Sequence, residues 1–521
     1  MEEAIVQKKD NRRGIIITIA MLTFLLGLGY LAFFAAWWYV RVYGRIGFDS
    51  VLFTLTGGLG GVSDTLVTDF LLGGVLPAVL ATALTSFLLF YNGKVCIRIR
   101  DFQLFPIKRK LAGDLAMILA IVLLVHAAFN VELVSYLLHT NQESELYQEE
   151  YVDPDGTNIT FPEEKRNLIY IFLESMETSY LSEELGGARP YNLIPELTKL
   201  AQDNINFSHN ESVGGFRQVT GASWTIGAMT AHTGGVPLKV PEGISDWQNG
   251  YGKDDEFLDG LSNLTSILHD QGYYQTLMVG SVVSFGGRDT FYKNHGVDKI
   301  YDLVTAYRDG PVPNDYWNDF WGMEDLYLYE YAKTELTKIA QQDQPFAFTM
   351  LTVDTHHIGG FKCQLCGSNY EESYENAIAC ASRQVYDFVE WLKCQPYYDN
   401  TTIVITGDHC SMDNGYFSRN VDDDYVRHVY NCFINAAATP VNTTNRQFCA
   451  MDMFPTTLAA MGCTIEGDRL GLGTNLFSRE LTLMERYGYE RLCVELSKKS
   501  EFYSENFYGR DYSVPETTAG N

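Results

Sequence analysis

Three long apolar stretches fall within the first 140 residues of the chain. Ile15 to Val40 carries no charged residue and ends in Trp37-Trp38-Tyr39, the kind of aromatic belt that sits at a membrane–water boundary. Phe70 to Tyr91 forms the second stretch. Leu115 to about Val131, which includes His126 and Asn130, forms the third. A cleaved signal peptide would have a shorter apolar region and a small-residue cleavage site, neither of which the first stretch shows. The pattern predicts a membrane module over residues 1–140 with spans at about 15–40, 70–91 and 115–131.

Positive charge orients such spans. Lys8, Lys9, Arg12 and Arg13 precede the first. Lys94, Arg98, Arg100, Lys108, Arg109 and Lys110 lie between the second and third, while the first loop holds only Arg41 and Arg45. The N-terminus and second loop are therefore expected in the cytoplasm, and everything after about Thr140 outside it. Residues 1–140 hold 12 Lys/Arg and 9 Asp/Glu of the chain's 38 and 65, so the remainder carries a formal charge of −30. Such an acidic surface repels phosphate backbones and argues against a nucleic-acid partner. Of ten cysteines, Cys96 lies in the second loop and nine fall between Cys363 and Cys493. Cys363, Cys366, Cys380 and Cys394 cluster in sequence. A reducing compartment would suggest zinc for Cys363-x-x-Cys366; outside the membrane, disulfides are expected instead. Nine is odd, so at least one thiol is left over.

Residues 141–166, acidic with Pro154, Gly156 and Pro162, read as a linker, and 511–521 as a loosely ordered tail. Between them, over residues 167–510, β-rich runs alternate with helical patterns. That alternation predicts an α/β domain with a central, mostly parallel sheet flanked by helices. Expected strands include NLIYIFL before Glu174, YQTLMV from Tyr274, FAFTMLTVD before Thr355-His356-His357, and TIVITG before Asp408-His409. Leu258 to Gln271, Tyr374 to Leu392 and Met451 to Met461 read as helices.

Three of these strands end on Glu174, on His356 and on Asp408-His409. Ligands bind beyond the carboxyl ends of strands in open parallel sheets, and oxygen and imidazole donors suit one divalent cation such as Mn, Mg or Zn. A fourth donor is available in Gly221-Ala222-Ser223-Trp224-Thr225, where the chain turns into a small-residue helix. A hydroxyl at that helix N-terminus would be favoured as an alkoxide and would face an incoming phosphate.

The ordered set NLIYIFLES, GASWTIGAM, SFGGR, TVDTHH, ITGDH, DMFPTTLAAMG and GDRLGLGTNLF resembles the sulfatase-like ectodomain of lipoteichoic acid synthases in the alkaline phosphatase superfamily. It is closer still to membrane phosphoglycerol transferases that modify glucans. The resemblance covers about Asn167 to Ser478. It implies an extracellular alkaline-phosphatase-like catalytic domain behind a helical membrane module, with Glu174, Thr225, Asp408 and His409 as metal ligands. It also implies Thr225 as nucleophile and Arg288 and His356 as the residues holding phosphoglycerol, His356 in a protonated form that stabilises a leaving alkoxide. The donor would be phosphatidylglycerol or a similar phospholipid, the acceptor a glycan or glycolipid, and the cofactor one divalent ion, Mn first and Mg or Zn as alternatives. Lipoteichoic acid synthases have a Trp and a His near the Arg, where this chain has Gly286 and Val279, so polymer synthesis is not implied. His357 and His232 are read as structural, and Cys410 as a buried inert thiol.

Two other enzyme readings share this fold. Phosphoethanolamine transfer would use the same metal and Thr. A sulfate or phosphate ester hydrolase of the formylglycine type needs C-x-P-x-R, and the nearest match, Cys394-Gln-Pro-Tyr-Tyr398, lacks the Arg. A non-catalytic receptor would have no reason to keep Glu174, Thr225, Asp408 and His409 together.

Overall fold

The computed structural model describes residues 2–45, 47–56, 64–90, 97–99, 102–105, 108–239, 256–309, 312 and 321–508. The expected tail over 511–521 and much of the basic second loop lie outside the described residues. Two compact units result, one built from residues 1–48 and 62–135, the other from 49–61 and 136–521.

The first unit contains three helices long and apolar enough to cross a membrane, Arg13–Tyr43, Leu66–Phe90 and Arg109–Asn130. The third begins several residues before Leu115, because Arg109 and Lys110 can extend their alkyl stems along the helix and keep their charges in the headgroup region. Ala112, Ala116, Ala120, Leu123 and Ala127 form its buried stripe. Small residues at this spacing let helix backbones approach closely where no hydrophobic effect drives them together. Gly29 makes such an approach: a Cβ there would sit 3.2 Å from the Ala120 carbonyl oxygen. Polar contacts also join the helices, with Tyr30 Oη 2.8 Å from Thr85 Oγ1 and Trp38 Nε1 donating to Asp69 at 2.7 Å.

The second unit is organised by a seven-stranded sheet. Its strands are β1 (Asn167–Leu173), β2 (Gly215–Phe216), β3 (Tyr274–Val279), β4 (Lys299–Tyr301), β5 (Phe346–Leu351), β6 (Thr401–Gly407) and β7 (Val429–Ile434). The spatial order is β2-β7-β6-β1-β5-β3-β4. From β6 to β4 every pairing is parallel, while β7 runs antiparallel to both β6 and β2. Alternate residues of β1 feed opposite apolar layers: Leu168, Tyr170 and Phe172 join one, Ile169, Ile171 and Leu173 the other. Burial on both faces is why these strands read as continuous apolar runs rather than as alternating ones. The expected α/β class with a mostly parallel central sheet is the one observed.

Differences from the sequence reading have local causes. The helix expected from Leu258 runs only over Leu264–Asp270. Asn263 caps it, accepting from Ser266 N while the Ser266 hydroxyl accepts from Asn263 N, so the capping box fixes the start. Residues 141–166, which read as a linker, are packed into the second unit. Tyr147 is fully buried, Glu150 pairs with Arg486 at 2.6 Å and Arg469 at 3.1 Å, and Ile159–Thr160 forms a strand with Thr464–Ile465. His232 is a core residue, sharing a 2.9 Å hydrogen bond with Tyr170 Oη. Burial pushes its pKa down to about 3.

Candidate active site

The register of the sheet builds the site. Leu173 of β1 pairs with Gly407 of β6, so the next residues, Glu174 and Asp408, emerge side by side at the carboxyl end. Gly407 is required there: a Cβ would lie 2.0 Å from the Met176 carbonyl oxygen. Just past β5, Thr352 Oγ1 accepts from Glu174 N at 3.0 Å, and the Thr355 hydroxyl donates to the Glu174 carbonyl. Ser175 takes a left-handed φ of 55°. That unusual turn aims its N–H at Asp408 Oδ1, 2.8 Å away.

Glu174, Asp408 and His409 are all buried, and one donor atom from each lies within 4.8 Å of the others. Asp408 Oδ1 accepts from Ser175 N and His409 N, each at 2.8 Å, whereas Asp408 Oδ2 is buried without a hydrogen-bond partner. His409 Nδ1 lies 2.9 Å from the Cys410 carbonyl, which places its proton on Nδ1 and leaves the Nε2 lone pair facing Glu174 at 3.7 Å and Asp408 at 3.3 Å. This is the arrangement that prepares an imidazole for metal ligation. Burial, with Asp408 alongside, raises the Glu174 carboxyl well above the usual range, against the pull of the Ser175 hydroxyl and Arg288. Two carboxylates in a dry site with one oxygen orphaned need a cation. The donor set fits a divalent metal.

Thr225 opens the helix Thr225–Gly234, and its Oγ1 lies 3.5 Å from His409 Nε2. Trp224 is extended at the cap position, with φ −143° and ψ 160°. The preceding turn depends on Gly221, whose φ is +78° and whose missing Cβ would fall 2.7 Å from Pro237. Gln218 Oε1 accepts from Cys410 N at 2.9 Å, tying this segment to the loop after β6.

Arg288 begins another short helix and is almost wholly buried. Its Nη2 donates to Ser281 Oγ at 3.0 Å and Val282 O at 2.8 Å, and its Nε to Phe285 O at 3.0 Å. Burial pulls its pKa down to about 10, with Glu174 and Asp408 close enough to oppose the shift. The group stays charged at neutral pH. The ring of His356 stacks on Trp321 with centroids 4.3 Å apart and planes 8° apart. Burial first, then His357, His409 and Arg288, push its pKa well below the ordinary value. The site therefore favours neutral His356, not the protonated form expected from the sequence. Nδ1 lies 2.6 Å from the His357 carbonyl, so Nε2 is the acceptor.

The structure thus brings all six expected residues to one end of the sheet. It adds three that sequence reasoning missed, Ser175, Gln218 and Trp321, and stacks His357, read from the sequence as structural, against His356. Trp321 is an aromatic wall arriving from a loop distant in sequence from Gly286, so no local motif announces it. Burial lowers the pKa of His357 to about 3, with His409 contributing. Cys410 is buried and its thiol pKa raised by that burial, as an inert thiol should be.

The family model described as Sulfatase matches residues 166–463, more than half of the chain. The chain belongs to the Sulfatase family. By that membership it is an enzyme of the sulfatase-like superfamily. Phosphoglycerol transferase I of Salmonella choleraesuis is 32% identical over 266 residues, which cover 49% of this chain and 32% of that protein. The same enzyme of Salmonella typhimurium matches over the same shares. The chain therefore spans about a third of the length of the curated relatives it matches. Lipooligosaccharide phosphoethanolamine transferase A of Neisseria meningitidis, an integral membrane protein, covers 85% of this chain and 84% of its own, with 12% identity and a TM-score of 0.50. That likeness is one of fold. The lipoteichoic acid synthase LtaP of Listeria monocytogenes covers 62% of this chain and 79% of its own, at 21% identity and a TM-score of 0.47. With three helices long and apolar enough to cross a membrane ahead of its family domain, the Sulfatase-family chain is a membrane protein with a C-terminal catalytic domain.

Proposed function

We propose that this protein is a metal-dependent phosphoglycerol transferase. It moves glycerol phosphate from phosphatidylglycerol to a hydroxyl of an extracytoplasmic glycan or glycolipid, through a covalent intermediate on Thr225. The observation that carries this reading is the Thr225 hydroxyl at a helix N-terminus, 3.5 Å from His409 Nε2 and beside the buried Glu174–Asp408–His409 set. A divalent ion held by these four residues, manganese by preference for an oxygen-rich set and magnesium or zinc otherwise, supplies charge that favours a deprotonated hydroxyl.

The rest falls to the chain's own groups. Thr225 Oγ1 bonds to phosphorus as the bond from phosphorus to the diacylglycerol oxygen breaks, and that oxygen leaves as diacylglycerol with the proton Thr225 gives up. The acceptor hydroxyl then attacks the same phosphorus, transfers its proton and releases Thr225. The N–H groups at the helix start and the Arg288 guanidinium take the phosphate's negative charge. Neutral His356, with Nε2 as acceptor, suits a glycerol hydroxyl, and Trp321 walls that side. The apolar helices anchor the chain in the membrane, which is where a lipid donor resides. The charge asymmetry of the loops supports a catalytic unit outside the cytoplasm, where its −30 charge disfavours a polyanionic acceptor. The name of the Salmonella relatives supports phosphoglycerol as the group transferred.

Full-length protein incubated with phosphatidylglycerol vesicles should carry glycerol phosphate on the peptide containing Thr225, read by mass spectrometry. Phosphoethanolamine on that residue from phosphatidylethanolamine alone would make the protein a phosphoethanolamine transferase. Water-dependent release with no adduct would make it a hydrolase. Formylglycine chemistry has no support: Cys394 is exposed at the end of the helix Ser373–Lys393, its thiol on the Glu390 carbonyl.

A further inference from the structure

The disulfides expected among Cys363, Cys366, Cys380 and Cys394 are not formed, and all nine described cysteines are free. Three of the four nevertheless converge. Cys363 Sγ lies 3.7 Å from Cys366 Sγ and 3.8 Å from Cys380 Sγ, and the three sulfurs are within 4.8 Å of one another. Cys394 is excluded, because it lies fourteen residues beyond Cys380 on one helix, about 21 Å along its axis.

These separations are informative. A disulfide holds its sulfurs about 2.05 Å apart. Zinc–thiolate bonds of about 2.3 Å in a tetrahedron put neighbouring sulfurs about 3.8 Å apart, which is the spacing found here. Local structure supports the arrangement. Cys366 N donates to the Cys363 carbonyl at 3.1 Å, so the C-x-x-C turn presents both sulfurs on one side, and Cys380 meets them from the helix Ser373–Lys393. Gln384, one turn further along that helix, donates to Cys380 Sγ at 3.5 Å, the kind of contact that orients a ligating thiolate. Cys363 and Cys380 are buried and Cys366 is partly exposed, so the cluster is closed on the protein side and reachable from solvent on the other.

We propose that Cys363, Cys366 and Cys380 bind a second metal ion, zinc or another thiophilic divalent ion, with solvent in the fourth position. Its all-sulfur ligands separate it chemically from the oxygen- and nitrogen-based set at the sheet end. Its place in the chain suggests what it holds. The segment from His356 to Cys363 runs through Gly360 N on the His356 carbonyl at 3.1 Å, Phe361 N on the Asp354 carbonyl at 2.7 Å, and Gly359 N on Asp413 Oδ2 at 2.7 Å. A clip at Cys363 fastens the far end of that segment to a long helix, making it a positioning device for His356 and His357.

Cobalt provides the test, because thiolate-to-cobalt charge transfer absorbs in the near ultraviolet and a site without sulfur cannot produce it. Full-length wild-type protein loaded with Co(II) in detergent should show this absorption at one equivalent per chain. It should persist in Asp408→Ala and vanish in Cys363→Ser and Cys380→Ser, with zinc content falling by one equivalent in the serine variants. If a serine variant does not fold, Co(II) should shield Cys363, Cys366 and Cys380 from alkylation in the wild-type protein, and labelling of all three at the rate of the metal-free protein overturns the proposal. Absence of the band overturns the proposal, whether alkylation of the denatured, unreduced protein then finds all three thiols free or finds two of them blocked in a disulfide.

Discussion

Asp408 turns Oδ1 onto the backbone N–H of Ser175 at 2.8 Å while its Oδ2 stays buried and unpartnered. One carboxylate thus does two jobs: half of it holds a loop, and the other half waits for a cation. Asp408→Asn separates them, since its carbonyl can still accept from Ser175 N and His409 N. The variant should fold with an unchanged circular dichroism spectrum yet bind the catalytic-site metal about 100-fold more weakly or worse, because even supporting residues around a metal are worth 10–100-fold. Isothermal titration of metal into the apoprotein measures this.

Thr225→Ala removes the proposed nucleophile and leaves Glu174, Asp408 and His409 in place. Turnover should fall on the order of 10⁴-fold or more, the scale of losing a catalytic nucleophile, with the catalytic-site ion retained. Diacylglycerol release at the native rate would rule out a Thr225 intermediate.

Arg288→Lys keeps the charge but loses the planar fork that meets two phosphate oxygens. A charge-assisted hydrogen bond is worth about 1.5–3 kcal/mol, so kcat/KM for the lipid donor should drop by roughly 10- to 150-fold while metal content is unchanged. An unaltered kcat/KM would remove Arg288 from donor binding.

Gly407→Ala tests the packing beneath the ligands. The added Cβ would sit 2.0 Å from the Met176 carbonyl oxygen, and relief requires moving the strand end that carries Asp408. Destabilisation on the order of 3 kcal/mol, seen as a lower melting temperature, should accompany loss of metal.

Acid should destabilise the fold through His232. Its folded pKa is depressed to about 3 by burial, so protons favour the unfolded chain as pH falls below the ordinary histidine value. At about pH 5 this one residue should remove about 2 kcal/mol of stability relative to neutral pH. His232→Gln should flatten that part of the stability–pH curve, and an unchanged slope would show that His232 is not responsible.

The positions of Glu174 and Asp408-His409 were legible because each ends an apolar run, and parallel strands deliver their ends to the same edge. The α/β class followed from the same runs. Thr225, Arg288 and His356 needed the family resemblance, since a hydroxyl before a helix or an Arg in a Gly-rich loop is common chemistry. Other features were beyond any local pattern. The neutrality of His356 depends first on burial and then on His357, His409 and Arg288, drawn from three separate segments, and the Trp321 stack on a loop thirty-five residues upstream of its partner. Residues 141–166 have a linker's composition, and only the distant Arg486 and Arg469 explain why Glu150 is held against the domain. The cysteines lay open to two readings because sequence gives spacing along the chain and not separation between sulfurs.

Of the four residues at the sheet end, Glu174, Asp408 and His409 are sealed from water, and Thr225 alone is half-buried. An ion held by these four would face solvent on the Thr225 side. On the proposed chemistry that side is covered whenever Thr225 carries glycerol phosphate. A chelator would then strip the resting enzyme and spare the loaded one, so a supply of lipid donor would lengthen the ion's residence, and the working enzyme would guard its own metal.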